Sequence, residues 1–219
     1  MTARQVFITG GTGYLGRELA PALLARGHRV RTLVRRGSEA KAPAGCEVVV
    51  GDPFDRHTFA AAIAPCDTFV QLVGVPHPSP RKAQQFIDID LRSARESIAA
   101  AREQRIAHFV YVSVAQPAPA MLAYQAARRQ AEEALAAAGL TRTIVRPWYV
   151  LGPGHRWPYV LLPVYAVLEA LPSTRDSARR LGLVTRPQMI AALVDAVEHP
   201  PAVERLVEVP EIKSRLRSA

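Results

Sequence analysis

Two cysteines in a chain of 219 residues are too few for a disulfide framework. Cys46 and Cys66 each open an apolar run, and neither a third thiol nor a His-x-x-x-His pair completes a metal-ligand set. A reduced, cytoplasmic, metal-free protein is the expectation. Aromatic residues are scarce at 6%, and the 28 Lys and Arg are scattered along the chain, which leaves no basic stacking platform for nucleic acid. The formal charge of +9 is read instead as solubility and attraction for anionic ligands. No apolar run reaches the roughly 20 residues of a membrane-spanning helix. The longest, PYVLLPVYAVLEAL from Pro158, has 14 and reads as a core or lid helix. No charged-then-apolar leader precedes VFITG, so export is not expected.

What the chain does have is apolar content, 49%, enough for one globular α/β domain. Strand-length apolar runs recur at 4–9, 29–34, 46–50, 67–73, 107–114 and 141–145. Helical segments at 14–26, 55–64, 81–104 and 122–138 lie between them. In the segment 81–104, Ile87, Leu91, Ala94, Ile98 and Ala101 keep the spacing of one buried stripe. Strands joined by crossover helices imply a Rossmann-type, doubly wound parallel sheet, whose ligands settle beyond the carboxyl ends of the strands. Residues 1–147 would form the cofactor-binding core and 148–219 a small, helical substrate or lid region. That region has helices near 158–171 and 187–198, a strand at 204–209 and a frayed basic tail, KSRLRSA.

The first strand ends in TGGTGYLG, residues 9–16, and a helix opens at once. Gly11, Gly13 and Gly16 satisfy Gly-x-Gly-x-x-Gly, while Gly10, Gly13 and Gly16 satisfy Gly-x-x-Gly-x-x-Gly. In either register glycine stands where backbone must turn tightly and approach a diphosphate, with the free amides of the helix N-terminus facing the anion. The turn Gly10, Gly11, Thr12, Gly13, Tyr14, Leu15 and Gly16 is therefore the candidate dinucleotide cradle. The second strand runs into Arg35 and Arg36 where an acidic residue would hold the ribose hydroxyl of NAD. Two guanidinium groups suit a 2′-phosphate, so NADP is preferred to NAD.

These features, with GDPFD at 51–55, FVYVSV at 109–114, YQAARRQAEEAL at 124–135 and TIVRPWYVLGPG at 143–154, resemble the short-chain dehydrogenase/reductase superfamily. The resemblance is to its atypical and extended branches, the NmrA-like proteins and the relatives of nucleotide-sugar epimerases. It implies that Asp52 and Pro53 lie beside the adenine and that Leu72, Val73 and Gly74 line the cofactor. It further implies that Ser113 and Tyr124 are the catalytic serine and tyrosine. Arg128 falls on the lysine of the Tyr-x-x-x-Lys motif, and Asp90 falls where many relatives carry asparagine. In that family the lysine favours ionisation of the tyrosine and holds the nicotinamide ribose.

An unperturbed phenol, with a pKa of about 10, is almost wholly protonated at neutral pH, and a neighbouring cation lowers that value by about 1 to 3 units. Arg128 supplies such a charge, although Glu132, four residues on, is placed to claim it in a surface ion pair. Ser113 and Tyr124 would together hold a carbonyl oxygen during hydride transfer. His77, Trp148 and Tyr149 are the candidate rim of a substrate pocket. The expected function is an NADP(H)-dependent oxidoreductase for a small carbonyl or alcohol substrate. The alternatives are a non-catalytic NADP(H)-binding sensor or assembly protein and an epimerase or dehydratase, although the segment after Pro147 leaves little room for a nucleotide-sugar. Pairing into a homodimer through helices is implied by the resemblance alone.

Overall fold

The computed structural model describes residues 2–153 and 180–215. Seven strands form one parallel sheet: β1 (Gln5–Thr9), β2 (Arg29–Val34), β3 (Glu47–Val50), β4 (Thr68–Gln71), β5 (His108–Val112), β6 (Arg142–Arg146) and, after a small pair β7 (Tyr149–Leu151) and β8 (Leu183–Thr185), β9 (Glu204–Glu208). The order across the sheet is β3-β2-β1-β4-β5-β6-β9, so the direction of winding reverses between β1 and β4. There Thr9 pairs with Leu33 on one side and Gln71 on the other, which aligns the carboxyl ends of three strands.

Alternation along each strand builds two cores. Val6 and Ile8 of β1 and Val110 of β5 face one layer, with Leu19 and Leu23 of α1 (Gly16–Ala25). Phe7, Phe109 and Tyr111 face the other, with Ala94 and Ile98 of α2 (Arg92–Glu103) and Ala131 and Leu135 of α3 (Leu122–Ala137). The scarce aromatics are concentrated here: five of the six phenylalanines are fully buried in this second layer. Phe7 lies 5.3 Å from Phe69, which stacks on Phe109 at 5.0 Å. Sheets covered on both faces need such strands, apolar at nearly every position.

Two expected helices differ. Residues 55–64 form separate 3₁₀ turns, Arg56–Thr58 and Ala60–Ala62. The Asp55 carboxylate accepts the His57 amide, and the Thr58 hydroxyl takes the Asp52 amide while donating to the Asp55 carbonyl, so side chains satisfy groups that an α-helix would have used. The stretch 81–104 is a composite: a 3₁₀ turn at Pro80–Lys82, a short turn at Ala83–Gln85, a π-helical segment at Phe86–Leu91, and then α2. The wider π turn shifts the register, so Phe86 faces inward and Ile87 is 40% exposed, against the stripe expected from spacing.

Helix α4 (Arg186–Glu198) starts with a capping box between Thr185 and Gln188. It packs on α1, and β9 closes the sheet beside β6. The β7–β8 pair was not expected from the sequence. The C-terminal tail is not frayed at its start: α5 (Val209–Ser214) takes in Lys213 and Ser214, and Arg215 pairs with Asp195 and Glu211. The expected helix at 158–171 lies outside the described residues. Among the described residues no helix is long and apolar enough to cross a membrane, and no group of His, Cys, Asp or Glu is arranged to hold a metal ion.

Candidate functional site

The glycine turn sits where the winding reverses. Gly10 has φ +78°, and a Cβ there would stand 2.9 Å from the backbone of Leu72 and Val73. Only glycine combines that conformation with so close an approach to the loop after β4. Gly11 packs on the Thr32 side chain and Gly16 on the backbone of Gly10 and Gly11, so both serve to hold α1 onto the strands. Gly13 differs: a Cβ there would meet the Gly10 carbonyl at 3.0 Å and otherwise open space. No side chain caps the start of α1, where Thr12, Tyr14 and Leu15 complete the turn. This bare backbone concavity fits the diphosphate of a dinucleotide.

Arg35 and Arg36 are exposed where β2 ends. Asp52 is exposed after β3, its carboxylate accepting the Phe54 amide at 2.9 Å, and Pro53 is buried. These four residues stand at the β2–β3 side of the turn.

On the other side opens a cavity of ≈ 460 Å³, within the range of small-molecule sites. Of the expected residues, Gly10, Gly13, Tyr14, Leu15, Leu72, Gly74, His77, Ser113, Tyr124, Arg128, Trp148 and Tyr149 line it; Gly11, Thr12, Gly16, Arg35, Arg36, Asp52, Pro53 and Val73 do not. Ser113 directly follows β5 and is 2% exposed, and its hydroxyl has no hydrogen-bond partner among the described residues. A hydroxyl so placed is able to bond a group bound in the cavity. Tyr124, in the first turn of α3, packs against Phe86 with ring centroids 4.9 Å apart.

Arg128 is buried at 5% exposure and is not paired with Glu132, contrary to the surface pairing that the spacing allowed. Glu132 is engaged by Arg146 and by Gln116. The guanidinium turns inward: Nη2 donates to Asp90 Oδ1 at 2.5 Å, and Nη1 to the Val112 carbonyl at 2.9 Å and the Tyr111 hydroxyl at 3.3 Å. Asp90, fully buried on the π-helical segment, also accepts the Val75 amide at 3.0 Å. The guanidinium carbon lies 5.1 Å from the centre of the Tyr124 ring and 5.7 Å from that of Tyr111.

Burial dominates the protonation of this group. It pushes Tyr124 above its ordinary value, although the Arg128 charge pulls the other way. Burial outweighs the cation here, so the direction is opposite to the lowering that the charge of Arg128 alone would give. Burial likewise pushes Tyr111 up to about 12, against Arg128. The charge of Arg128 is secure: burial disfavours it, but Tyr124, Tyr111 and Asp90 together raise its pKa well above the ordinary value.

At the rim, His77 is exposed with φ +50°, and Lys82 Nζ donates to the neighbouring Pro76 carbonyl at 2.6 Å. Trp148 and Tyr149 meet edge to face at 5.6 Å, and Trp148 packs on the core beneath. His155 and Trp157 lie outside the described residues. The rings at the mouth are joined by Met121, at φ +61°, a wall residue that sequence reading missed. Tyr111, Gln71 and Val75 were missed as well. Gln71 donates to Ser93 at 3.0 Å and accepts from Thr9, and Ser93 donates to the Asp90 carbonyl at 3.2 Å, so a buried polar chain runs from β1 to Asp90. The signal for it was Thr9, Gln71 and Ser93, polar residues inside otherwise apolar elements.

A model of the NAD(P)H-binding family matches residues 10–200. The chain is 31% identical over 170 residues to a 4-hydroxy-2-methyl-3-oxo-4-farnesyl-3,4-dihydroquinoline-1-oxide ketoreductase of Stigmatella aurantiaca, covering 68% of this chain and 51% of that protein. It is 31% identical over 176 residues to a ceramide reductase of Caulobacter vibrioides, covering 80% of this chain and 55% of that one. The chain thus spans about half the length of these relatives. Among solved structures, the Bordetella bronchiseptica enzyme WbmH in complex with NAD+ superposes with a TM-score of 0.68 at 20% identity, covering 93% of this chain and 75% of that one. That likeness shows the fold: a parallel, Rossmann-type sheet.

Proposed function

The chain belongs to the NAD(P)H-binding family, within the extended short-chain dehydrogenase/reductase superfamily, and from that membership we propose that it is an NADP(H)-dependent oxidoreductase reducing an apolar carbonyl compound. The observation that carries the reading is Ser113, whose buried hydroxyl has no partner among the described residues and lines the same cavity as Tyr124 and the glycine turn. The ketoreductase and ceramide reductase to which the chain is similar are both named for reduction. Val75, Pro76, Met121 and Trp148 make the cavity wall apolar, which favours an apolar substrate.

The dinucleotide, when bound, supplies hydride. The chain's own residues do the rest. The glycine turn and the start of α1 hold the diphosphate, and Arg35 and Arg36 take the 2′-phosphate. Ser113 donates a hydrogen bond to the carbonyl oxygen and fixes it beside Tyr124. Tyr124 would give its proton to the carbonyl oxygen as negative charge develops there, and the phenolate would regain a proton from water. Cys46 and Cys66 are free thiols, as a reducing, cytoplasmic setting would keep them.

A second reading, a dinucleotide sensor without turnover, draws on Arg128 being held by Asp90. Following NADPH absorbance across a panel of apolar aldehydes, ketones and quinones, with Tyr124→Phe as control, separates the two. Oxidation of NADPH by the wild type and at most about one-hundredth of it in the variant is the result expected of general-acid catalysis. No consumption with any member of the panel favours the sensor.

A further inference from the structure

Arg128 occupies the place of a lysine, but its surroundings are not those of a charge offered to the cavity. Its side chain is 7% exposed, and its partner Asp90 is fully buried. Three contacts, to Asp90, the Val112 carbonyl and the Tyr111 hydroxyl, already engage the guanidinium. The backbone has been shaped to this arrangement, because a Cβ on Gly74 would come 2.5 Å from Nη2 and 3.1 Å from Asp90 Oδ1. The Asp90 carboxylate also accepts the Val75 amide, and the buried chain from Gln71 and Ser93 ends on the Asp90 main-chain carbonyl. A carboxylate at this position does two things. It pins the cation beneath the cavity, and its negative charge opposes the formation of a second anion nearby.

We propose that Asp90 is a positioning residue: it holds the Arg128 guanidinium in place beneath Tyr124 and offsets that cation with its own negative charge, so that the phenol stays the proton donor for carbonyl reduction. The inference rests on the oxidoreductase reading above for its chemical meaning. The groups facing Tyr124 are Arg128 on its own helix, Asp90 on the π-helical segment and Tyr111 on β5, with the Phe86 ring against it; Tyr14, His77 and Tyr149 line the same cavity. Of these, Asp90 is the carboxylate. Burial and Asp90 act in one direction on the phenol and Arg128 in the other. Removing the Asp90 charge while keeping its shape shifts that balance toward tyrosinate.

The test is a spectrophotometric pH titration of tyrosinate on the full chain. Six tyrosines titrate, and subtraction of the Tyr124→Phe variant isolates one step. In Asp90→Asn that step is expected to fall by about one pH unit or more. The alkaline limb of the kcat/KM profile, where the proton donor is lost, should move with it. An unmoved step in a folded Asp90→Asn protein overturns the proposal. Should that variant fail to fold, Asp90→Asn combined with Arg128→Lys, which pairs a neutral amide with a compact cation, carries the same expectation. An unmoved step there, or loss of fold in both, makes the ion pair merely structural and overturns it equally. The titration needs neither cofactor nor substrate. Absence of turnover would therefore defeat the oxidoreductase reading alone, while an unmoved step with turnover intact would defeat the role of Asp90 alone.

Discussion

Gly74 and Arg128 share one volume: the guanidinium lies where a side chain on Gly74 would have to go, with Nη2 2.5 Å from the position of its Cβ. The contact joins the loop after β4 to α3 and sets the floor of the cavity. Gly74→Ala should force the guanidinium out of its site, at a cost of about 1 to 3 kcal/mol, the usual range for overpacking. Chemical denaturation of variant and wild type measures the loss. An Arg128→Met background should reduce it, because the thioether chain can move aside.

Ser113→Ala separates stability from function. The hydroxyl has no partner to lose among the described residues, so the variant should be as stable as the wild type or more so. Turnover of a carbonyl substrate should drop by about 10²- to 10³-fold, the effect of removing one donor to a developing oxyanion. NADPH affinity should be unchanged. Thermal melts, steady-state rates and calorimetric titration report the three quantities independently.

Replacing Arg35 and Arg36 together by serine should remove the proposed preference for NADPH over NADH. Both guanidinium groups are exposed at the end of β2, and a charge-assisted bond is worth about 1.5 to 3 kcal/mol. NADPH binding should therefore weaken by about 10- to 100-fold, while NADH binding stays the same. Equal losses for both cofactors would place these arginines away from the 2′-phosphate.

His108 should make stability depend on pH. Its ring is buried, with Nε2 2.9 Å from the Thr143 hydroxyl, and burial, assisted by Arg4, pushes its pKa down to about 4. The unfolded chain takes up this proton near pH 6.5. Between those values the unfolded state binds more protons, so stability declines as pH falls from about 6.5 to 4, by on the order of 3 kcal/mol. Urea titrations at several pH values should show the slope in the wild type and a weaker one in His108→Gln.

The sheet was legible because parallel strands buried on both faces are nearly continuous apolar runs, and each of the main-sheet strands lies within two residues of its expected bounds. The glycine turn was legible because its spacing carries a steric requirement. The surface pair with Glu132 was the alternative to a role for Arg128 beside Tyr124, yet Tyr124, Arg128, Ala131 and Leu135 follow one helical stripe whose last two members are fully buried, so the spacing alone placed the arginine inside. The π-helical segment could not be read, since an added residue per turn leaves no mark in a pattern that assumes constant pitch. Its consequence is the inward turn of Phe86 and Asp90 together, which puts the carboxylate within reach of the guanidinium. Nor did composition reveal the 3₁₀ turns after β3, where the side-chain bonds of Asp55 and Thr58 outcompete helix propensity.

The central claim is that the turn after β1 holds a dinucleotide diphosphate, and Gly13 offers the most direct measurement. Within 4 Å a Cβ there would meet only the Gly10 carbonyl, at 3.0 Å, so Gly13→Val should remain folded while filling the cradle. Isothermal titration with NADPH is predicted to show one-to-one binding by the wild type and at least about a tenfold weaker affinity in the variant, a difference of about 1.4 kcal/mol. Wild-type protein that binds neither NADPH nor NADH, or a folded variant that binds as tightly as the wild type, would contradict the account.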